Sequence, residues 1–337
     1  MVEKVPAKFL AVGGIRTVAE RVDHPIIYYV PPSFNSGKAT LAATLSQKAA
    51  QVEKRCVLHF RDNYTLDYAR LNPDTMAVPT MQIDDKVITD SFDLCKYLSD
   101  NYPGPGDQQV ACSGKAADMW EFIEIVKAWD EYMFTYGTVM SQSTSDMLNG
   151  IRLANLRYYL NQVLTTRPAD MEFLTEKYVQ KIAGITAMKK AQQDGEQKRT
   201  DLAENKTYLF KVLALGSQRA AQHPDGFLFG DHLCTADVFF LPIFRILHGA
   251  GMLMEVFETH PALEGYWTRA VANPQVQVGL LADVSKKAIA WFMLSTKAPK
   301  TILAFKMGLL KAPALPHEVE ERIEKAIVER WDAVRGV

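Results

Sequence analysis

The chain has 337 residues, of which 48% are hydrophobic and 23% are charged, and its formal net charge is -1. This length and composition predict a globular protein with a sizeable core, divided into two domains. The near-zero net charge argues against a nucleic-acid partner, and no uncharged apolar run reaches the roughly 18 residues that a membrane-spanning helix needs.

The four cysteines, Cys56, Cys95, Cys112 and Cys234, lie far apart in the sequence. No Cys-x-x-Cys pair or histidine cluster accompanies them, so the sequence predicts neither a zinc site nor a redox dithiol. No secretory signal is visible, and we therefore expect a cytoplasmic protein with free thiols.

Residues 1–24 precede the first predicted strand. Their apolar side chains have the spacing of a short amphipathic helix that Gly13-Gly14 interrupts. The segment also contains Glu3 and Glu20, and a transit peptide would be poorer in acidic residues. We expect a packed extension, with organelle targeting as the alternative.

The first β-α-β unit lies in residues 26–60. Residues 26–30 are a short run of β-branched and aromatic side chains, a helix is expected to about residue 52, and residues 55–60 form the next strand. A connection of this length predicts two parallel strands joined by a right-handed crossover.

The helix of this unit begins at residues 33–38, Ser-Phe-Asn-Ser-Gly-Lys. Hydroxyl and amide side chains at a helix start can donate to a sulfur atom, whose negative charge the helix dipole also favours. The same side chains can act as helix caps and nothing more. Residues 33–36 are therefore candidates for chemistry, with capping as the alternative.

Residues 78–98 are predicted to form a hairpin followed by a helix. Residues 78–83 are mostly apolar and open on a β-branched side chain, Asp84-Asp85 is a two-residue turn, residues 86–89 return, and the apolar spacing after them is helical. With the first unit this gives the order β-α-β-α-β-β-α, which is a thioredoxin-like arrangement.

Asp90-Ser91 lies at the start of the helix that follows this hairpin. Asp or Ser at such a position caps the free N–H groups of the helix, and the same groups can hold an anionic ligand. Pro79 begins a strand without an N–H group, which would spoil the strand pairing unless the neighbouring edge is reserved for something else. A peptide-like ligand could use that edge.

A run of helix and strand breakers at residues 103–107, Pro-Gly-Pro-Gly-Asp, separates this unit from a helical half. We place a domain boundary near residues 104–113, with the first domain at residues 25–103 and a helical domain at residues 113–283. Residues 115–140 are expected to form one long helix.

A second strong motif occupies residues 227–247, where Phe-Leu-Phe-Gly-Asp-His-Leu-Cys-Thr-Ala-Asp leads into an apolar helix. Gly230 allows a tight turn, and Asp237 can satisfy the first N–H groups of the helix. These features predict a structural role for the motif, as a turn and a helix cap.

Residues 284–337 form a C-terminal extension. Six lysines between residues 285 and 311 alternate with apolar side chains, and no acidic residue intervenes. This is the composition of an amphipathic segment that lies on a membrane surface. We expect either peripheral membrane contact or packing over the body of the protein.

These motifs together resemble the glutathione S-transferase superfamily over about residues 26–275. In that family a Val-Pro pair carries a cis proline and an acidic-Ser pair binds the γ-glutamyl group. The resemblance implies a thioredoxin-like N-terminal domain, an all-helical C-terminal domain, a homodimer and a role in detoxification. Residues 143–184 add an insertion that resembles tetrachlorohydroquinone dehalogenase and the ganglioside-induced differentiation-associated proteins.

The resemblance also implies a transferase, with glutathione as co-substrate and no metal. The glutathione thiol would attack an apolar electrophilic organic acceptor. Ser33 would activate this thiol, with Asn35 assisting. Dehalogenating relatives have a cysteine at the position of Asn35, so disulfide reduction and dehalogenation through an enzyme thiol lose support.

The resemblance assigns each part of glutathione to residues of the first domain. Val78 would pair with the cysteinyl backbone, and Asp90 with Ser91 would bind the γ-glutamyl end. Lys38 and His59 are the candidates for the glycyl carboxylate. The predicted glutathione contacts are Ser36, Lys38, His59, Val78, Pro79, Asp90 and Ser91.

The acceptor is expected to bind among Trp129, Tyr132 and Tyr136, whose alternative role is to build the core of the helical domain. The sequence does not identify the acceptor, because an apolar pocket carries little chemical signature. Two other functions remain open. One is a specialised glutathione-dependent lyase, isomerase or dehalogenase, and the other is a non-catalytic relative acting at a membrane or in a complex.

Overall fold

The computed structural model describes residues 14–18, 21–31, 33–57, 62–193, 195–281 and 313–335. Most of the predicted N-terminal extension lies outside these residues. So do the candidate His59 and the lysine-rich residues 285–311, and the predictions made for them stay predictions.

A five-stranded mixed sheet forms the centre of the N-terminal domain, in the order β1-β5-β4-β2-β3. Its strands are β1 (Ile15–Thr17), β2 (Ile26–Tyr29), β3 (Glu53–Cys56), β4 (Thr80–Ile83) and β5 (Lys86–Ile88). β2 runs parallel to β3 and antiparallel to β4, so that Ile27 lies opposite Lys54 on one side and Met81 on the other.

Three helices complete this domain, α1 (Phe34–Leu45), α2 (Leu66–Leu71) and α3 (Ser91–Asn101). The order β2-α1-β3-α2-β4-β5-α3 confirms the predicted thioredoxin-like arrangement. α1 ends earlier than predicted, because the N–H of Ser46 closes the helix on Ala42 O and a separate 3-10 turn follows at Ala49–Gln51.

β1 corrects the interpretation of residues 1–24 as an interrupted helix. Ile15–Thr17 pairs antiparallel with β5, and Arg16 lies opposite Val87. Beside this pairing, the N–H of Thr89 donates to Gly14 O at 2.9 Å. Without β1 the edge of β5 would present unpaired N–H and C=O groups, which explains why a three-residue strand forms there. The sheet therefore begins before residue 25.

The remainder of the described chain is mostly helical, as predicted. Its helices are α4 (Pro105–Cys112), α5 (Ala116–Lys127), α6 (Glu131–Phe134), α7 (Gln142–Thr166), α8 (Met171–Gln193), α9 (Gly195–Gln222), α10 (Thr235–Gly249), α11 (Leu253–Thr259), α12 (Pro261–Ala272), α13 (Pro274–Val276) and α14 (His317–Arg335). In the part of the chain that the structure describes, no helix is long and apolar enough to cross a membrane.

The single long helix predicted at residues 115–140 is wrong. α5 ends at Lys127, α6 spans only Glu131–Phe134, and a π-helical turn continues to Val139. The break occurs because Asp130 adopts a non-helical backbone conformation and its Oδ1 accepts the N–H of Met133 at 2.8 Å. An aspartate in this role starts a new helix.

The segment predicted as a domain boundary contains helix α4, which begins with Pro105 in its first turn. The Asp107 carboxylate of this helix accepts the N–H of Thr235 at 2.8 Å and the Thr235 hydroxyl at 3.0 Å. α4 therefore caps the distant helix α10 and belongs with the helical half.

Asp237 has the folding role that the sequence predicted for it. Its fully buried carboxylate accepts the N–H of Cys234 at 2.9 Å, the N–H of Leu228 at 3.2 Å and the hydroxyl of Tyr266 at 2.8 Å. Burial raises the pKa of Asp237 to about 6. These bonds join the turn before α10, α10 itself and α12.

The described residues form two large hydrophobic cores and one small apolar cluster that contains Val78. The first core joins the two halves of the chain, since residues such as Leu41 and Leu94 from the sheet domain pack in one cluster with Phe122 and Phe239 from the helical half. The second core is built from Tyr64, Ala69, Met76, Leu156, Leu160, Val163, Leu174, Tyr178, Val179, Ile182, Ala183, Ile185, Met188, Leu315, Val319, Ile323 and Ala326. It lies between α7, α8, α14 and the segment that contains α2.

Candidate functional site

Ser33 is the N-cap of α1. Its Oγ accepts the N–H of Ser36 at 3.3 Å, and its backbone is extended. Among the described residues, no acceptor lies within hydrogen-bond distance of the Ser33 hydroxyl, so its hydrogen is available for a ligand. The first turn of α1 carries no acidic side chain. A negative charge placed at this helix start would therefore be favoured by the helix dipole and not repelled by that turn.

Asn35 is held on three sides by other side chains. Its Nδ2 donates to Glu131 Oε1 at 2.6 Å, and its Oδ1 accepts from Lys38 Nζ at 2.9 Å and from Ser91 Oγ at 3.2 Å. We call Asn35, Lys38, Ser91 and Glu131 the Asn35 cluster. The amide is oriented by α3, α6 and its own helix, and one of its two Nδ2 hydrogens has no acceptor among the described residues.

Glu131 is a member of this cluster that the sequence did not identify. It is the first residue of α6, and it brings a carboxylate from the helical half to the predicted glutathione site. The available signal was the pair Asp130-Glu131 at a helix start, which predicts capping and says nothing about a partner in another domain.

Lys38 is 5% exposed, and its amine lies 4.3 Å from the centre of the Phe34 ring. Burial lowers the pKa of Lys38, while Glu131, Cys95 and Asp90 oppose that effect. Its amine makes one hydrogen bond to the described residues, with Asn35, which leaves two N–H groups for an anion.

Lys38 lies close to Ser91, so Lys38 at the glycyl carboxylate and Ser91 at the γ-glutamyl end are not compatible with one extended tripeptide, and both assignments stay predictions. Lys38 Nζ and Ser91 Oγ bond to the same oxygen of Asn35, so the amine and the hydroxyl lie close together. The two ends of an extended tripeptide are roughly 10 Å apart, at about 3.3 Å a residue. Lys38 therefore lies with the residues predicted for the γ-glutamyl end.

Asp90 is the N-cap of α3, as the sequence predicted for this helix start. Its Oδ1 accepts the N–H groups of Phe92 at 2.8 Å and Asp93 at 3.2 Å. Its other oxygen, Oδ2, has no hydrogen-bond partner among the residues that the structure describes. Ser91 follows as the first residue of α3 and joins the Asn35 cluster.

The peptide bond between Val78 and Pro79 is cis, as expected from the Val-Pro pair. Pro79 stands immediately before β4, whose first residue, Thr80, lies opposite Tyr28 of β2. The Val78 side chain is buried with Val30 and Tyr68 in a small apolar cluster. The Val78 backbone thus lies just beyond the last paired residues of the sheet.

The contact predicted between Ser36 and glutathione stays a prediction. The residue is 1% exposed, and its Oγ accepts the N–H of Val30 at 3.2 Å. Since Val30 directly follows β2, the Ser36 hydroxyl secures the end of that strand to α1. Its role in the structure is to hold the fold.

The three aromatic residues predicted to line one acceptor pocket are divided. Trp129 is buried in the first core, and its Nε1 donates to Asn205 Oδ1 at 3.0 Å. Tyr132 packs against the second core, stacks on Tyr136 with ring centres 4.2 Å apart, and accepts a hydrogen bond from Arg152 at 2.7 Å. Trp129 therefore packs in the first core, whereas Tyr132 packs against the second.

Two family models match the chain. The model described as glutathione S-transferase, N-terminal domain, matches residues 27–106, and the model described as glutathione S-transferase, C-terminal domain, matches residues 175–278. A search of curated proteins found no match.

Solved structures with a similar fold include the beta-etherase LigF from a Sphingobium species. It is 18% identical, with 78% of this chain and 100% of that chain covered and a TM-score of 0.50. A glutathione S-transferase from the Antarctic clam Laternula elliptica is 15% identical, with 77% and 93% covered and a TM-score of 0.43. One from Xanthobacter autotrophicus is 16% identical, with 77% and 100% covered and a TM-score of 0.44.

Proposed function

This chain belongs to the glutathione S-transferase superfamily, and from that premise we propose that it binds glutathione and activates the thiol for attack on an electrophilic organic acceptor. The observation that carries the proposal is the position of Ser33. Its hydroxyl caps the start of α1 with an O–H group that no described residue accepts, beside a first turn without acidic side chains.

The chemistry needs the thiolate form of glutathione. A free thiol has a pKa near 8.5, so only a few per cent is ionised at neutral pH. In the proposed site the thiol proton leaves to solvent, and the sulfur anion accepts the Ser33 O–H. The sulfur then forms a bond to an electrophilic carbon of the acceptor, and the leaving group departs with its electron pair. Ser33 itself forms no covalent bond.

The remaining contacts would hold the tripeptide. Val78 would pair through its backbone with the cysteinyl residue. Lys38 would offer its two free N–H groups to the γ-glutamyl carboxylate, while the open oxygen of Asp90 and the carboxylate of Glu131 would face the γ-glutamyl ammonium. One cation and two carboxylates match a zwitterionic end group, and each such charge-assisted bond is stronger than a neutral one.

The change Ser33→Ala tests the proposal. We expect the pKa of the bound thiol to rise by about one to two units, because one hydrogen bond to a charged group contributes on the order of 1.5 to 3 kcal/mol. Glutathione affinity should change little. The measurement is the ultraviolet thiolate absorbance of bound glutathione as a function of pH, with calorimetry for the affinity.

Asn35→Ala is the matched control for the rival activator. Because the Asn35 amide already binds Glu131, Lys38 and Ser91, we expect this change to weaken binding and to leave the thiol pKa nearly unchanged. A raised pKa in Asn35→Ala alone would assign the activation to Asn35. An unchanged pKa in both variants, without turnover of chlorodinitrobenzene by the wild type, would support a non-catalytic protein.

A further inference from the structure

The segment at residues 62–77 leads directly into Val78 and is fixed by its own side chains. Asn63 Nδ2 donates to Met76 O at 2.7 Å. Tyr68 and Asn72 both donate to Ala77 O, at 2.7 Å and 3.1 Å. The main chain just before Val78 is therefore positioned by three side chains from earlier in the same segment.

Helix α8 holds this segment at both of its ends. Tyr178 is fully buried, and its hydroxyl donates to Tyr64 O at 2.6 Å. Lys181, one turn further along α8, donates from Nζ to Thr75 O. The two side chains lie three residues apart and so project from the same face of the helix. Both reach main-chain oxygens, which makes them supports of the backbone.

Two ion pairs connect the hairpin of α7 and α8 to the same segment. Arg70 makes a two-pronged contact with Asp170, at 2.8 Å and 3.0 Å, in the connection between α7 and α8. Lys177 Nζ lies 2.9 Å from Asp74 Oδ1. Exposed pairs of this kind contribute only about 0.2 to 1 kcal/mol each. They join the same two parts of the chain as Tyr178 and Lys181, whose contacts are more buried.

We propose that Tyr178 and Lys181 are positioning residues for glutathione binding, acting through the 62–77 segment on the Val78 backbone. The inference rests on the proposed function, in which that backbone pairs with the cysteinyl residue. A main chain that is already ordered loses less conformational entropy when the ligand binds. The helical hairpin, far along the chain from the site, would then set glutathione affinity and leave thiol ionisation to Ser33.

The competing explanation is that these contacts stabilise the second core and nothing more. Tyr64, Met76 and Tyr178 all belong to that core, so any change there is expected to affect the free energy of unfolding. A stability measurement alone does not separate the two explanations. The separating quantities are the glutathione affinity, the split between KM and kcat, and the local exchange of amide hydrogens.

The test uses the full chain with Tyr178→Phe, which removes one hydrogen bond and keeps the ring. We expect the Kd and the KM for glutathione to rise about two- to tenfold, because glutathione binding must then order the segment that this hydrogen bond orders in the wild type. With chlorodinitrobenzene as acceptor, kcat should stay within about twofold of the wild-type value. The pKa of the bound thiol should change by no more than about a few tenths of a unit. In the absence of glutathione, the amide hydrogens of residues 62–77 should exchange faster in Tyr178→Phe than in the wild type.

Tyr158→Phe is the matched control, since Tyr158 lies on α7 with 56% of its surface exposed. It should leave every one of these quantities unchanged. Lys181→Met is the second variant and should act in the same direction as Tyr178→Phe. It keeps a long side chain but cannot donate to Thr75 O.

The possible outcomes separate the two proposals. If the wild type binds glutathione and both variants bind it with unchanged Kd, the positioning role is wrong, whatever happens to stability. If kcat falls while KM stays constant, the hairpin affects the reacting thiol and the inference fails in that way. A wild type that binds no glutathione would overturn the proposed function, and the exchange of residues 62–77 would then still show whether α8 holds the segment.

Discussion

Asp90 uses one carboxylate oxygen to cap α3 and leaves the other without a partner in the described structure. Asp90→Ser separates these two roles, because serine caps a helix about as well as aspartate but carries no charge. We expect glutathione affinity to fall by about 1.5 to 3 kcal/mol, or roughly ten- to 150-fold, through loss of a charged hydrogen bond. Calorimetry measures the affinity, and urea unfolding should show little change.

Asp90→Ala is the comparison for this prediction. It should lose both roles, with the same fall in affinity and a further loss of about 1 kcal/mol in the free energy of unfolding. Equal affinity for glutathione in the wild type and in Asp90→Ser would reduce Asp90 to a cap.

The sequence predicted those site residues whose hydrogen-bond partners are close to them in the chain. Ser33 and Asp90 each bond to N–H groups within three residues, so a local pattern identifies them. Glu131 was missed because its partner, Asn35, is 96 residues away. The sequence likewise did not predict that Lys38 lies beside Ser91, since this depends on how α1 packs against α3.

The apolar pattern of the sequence continues across the break between α5 and α6. Periodicity alone therefore predicted one helix there. Hydrophobic periodicity reports which side chains are buried, whereas the break depends on the backbone at Asp130 and on a single hydrogen bond to Met133. β1 was missed for a related reason. A strand of three residues is too short for an alternating pattern, and it forms because the edge of β5 is available.

Asp130 also gives a prediction about pH. Burial raises the pKa of its carboxyl to about 6, above the ordinary value of 3.8. A folded-state pKa above the unfolded one means that the native state binds more protons between these values. The free energy of unfolding should therefore fall as pH rises from about 4 to 6, at up to about 1.4 kcal/mol per pH unit from this group.

Asp130→Asn tests this prediction, because asparagine caps as well as aspartate and does not titrate. The variant should match the wild type near pH 4 and be more stable by about 2 kcal/mol at pH 7. Urea unfolding at several pH values measures the difference. Asp118→Asn, at an exposed position on α5, is the control. A constant difference between Asp130→Asn and wild type across this range would contradict the prediction.

Each helix could be predicted from the sequence by itself, but the elements that pack against it could not. Residues 143–184 showed helical spacing, and the structure confirms helices there. No local pattern indicated that this hairpin packs on residues 62–77 of the sheet domain, or that α14 covers it from the far end of the chain. Such pairings join surfaces that are equally apolar, so they depend on shape and not on a local pattern.

Helix α14 forms one side of the second core. α14 contributes Ile323, which is 2% exposed. Glu320 of α14 also forms an ion pair with Arg157 of α7. Ile323→Ala should lower the free energy of unfolding by about 2 to 4 kcal/mol, because it removes buried methyl groups and leaves a cavity. Val328→Ala, on the same helix with 57% of its surface exposed, should cost less than about 0.5 kcal/mol. Urea unfolding followed by tryptophan fluorescence provides both values. Since Tyr64 and Met76 share this core, Ile323→Ala should also speed amide exchange in residues 62–77. A loss of stability without that local effect would mean that α14 supports only the helical hairpin.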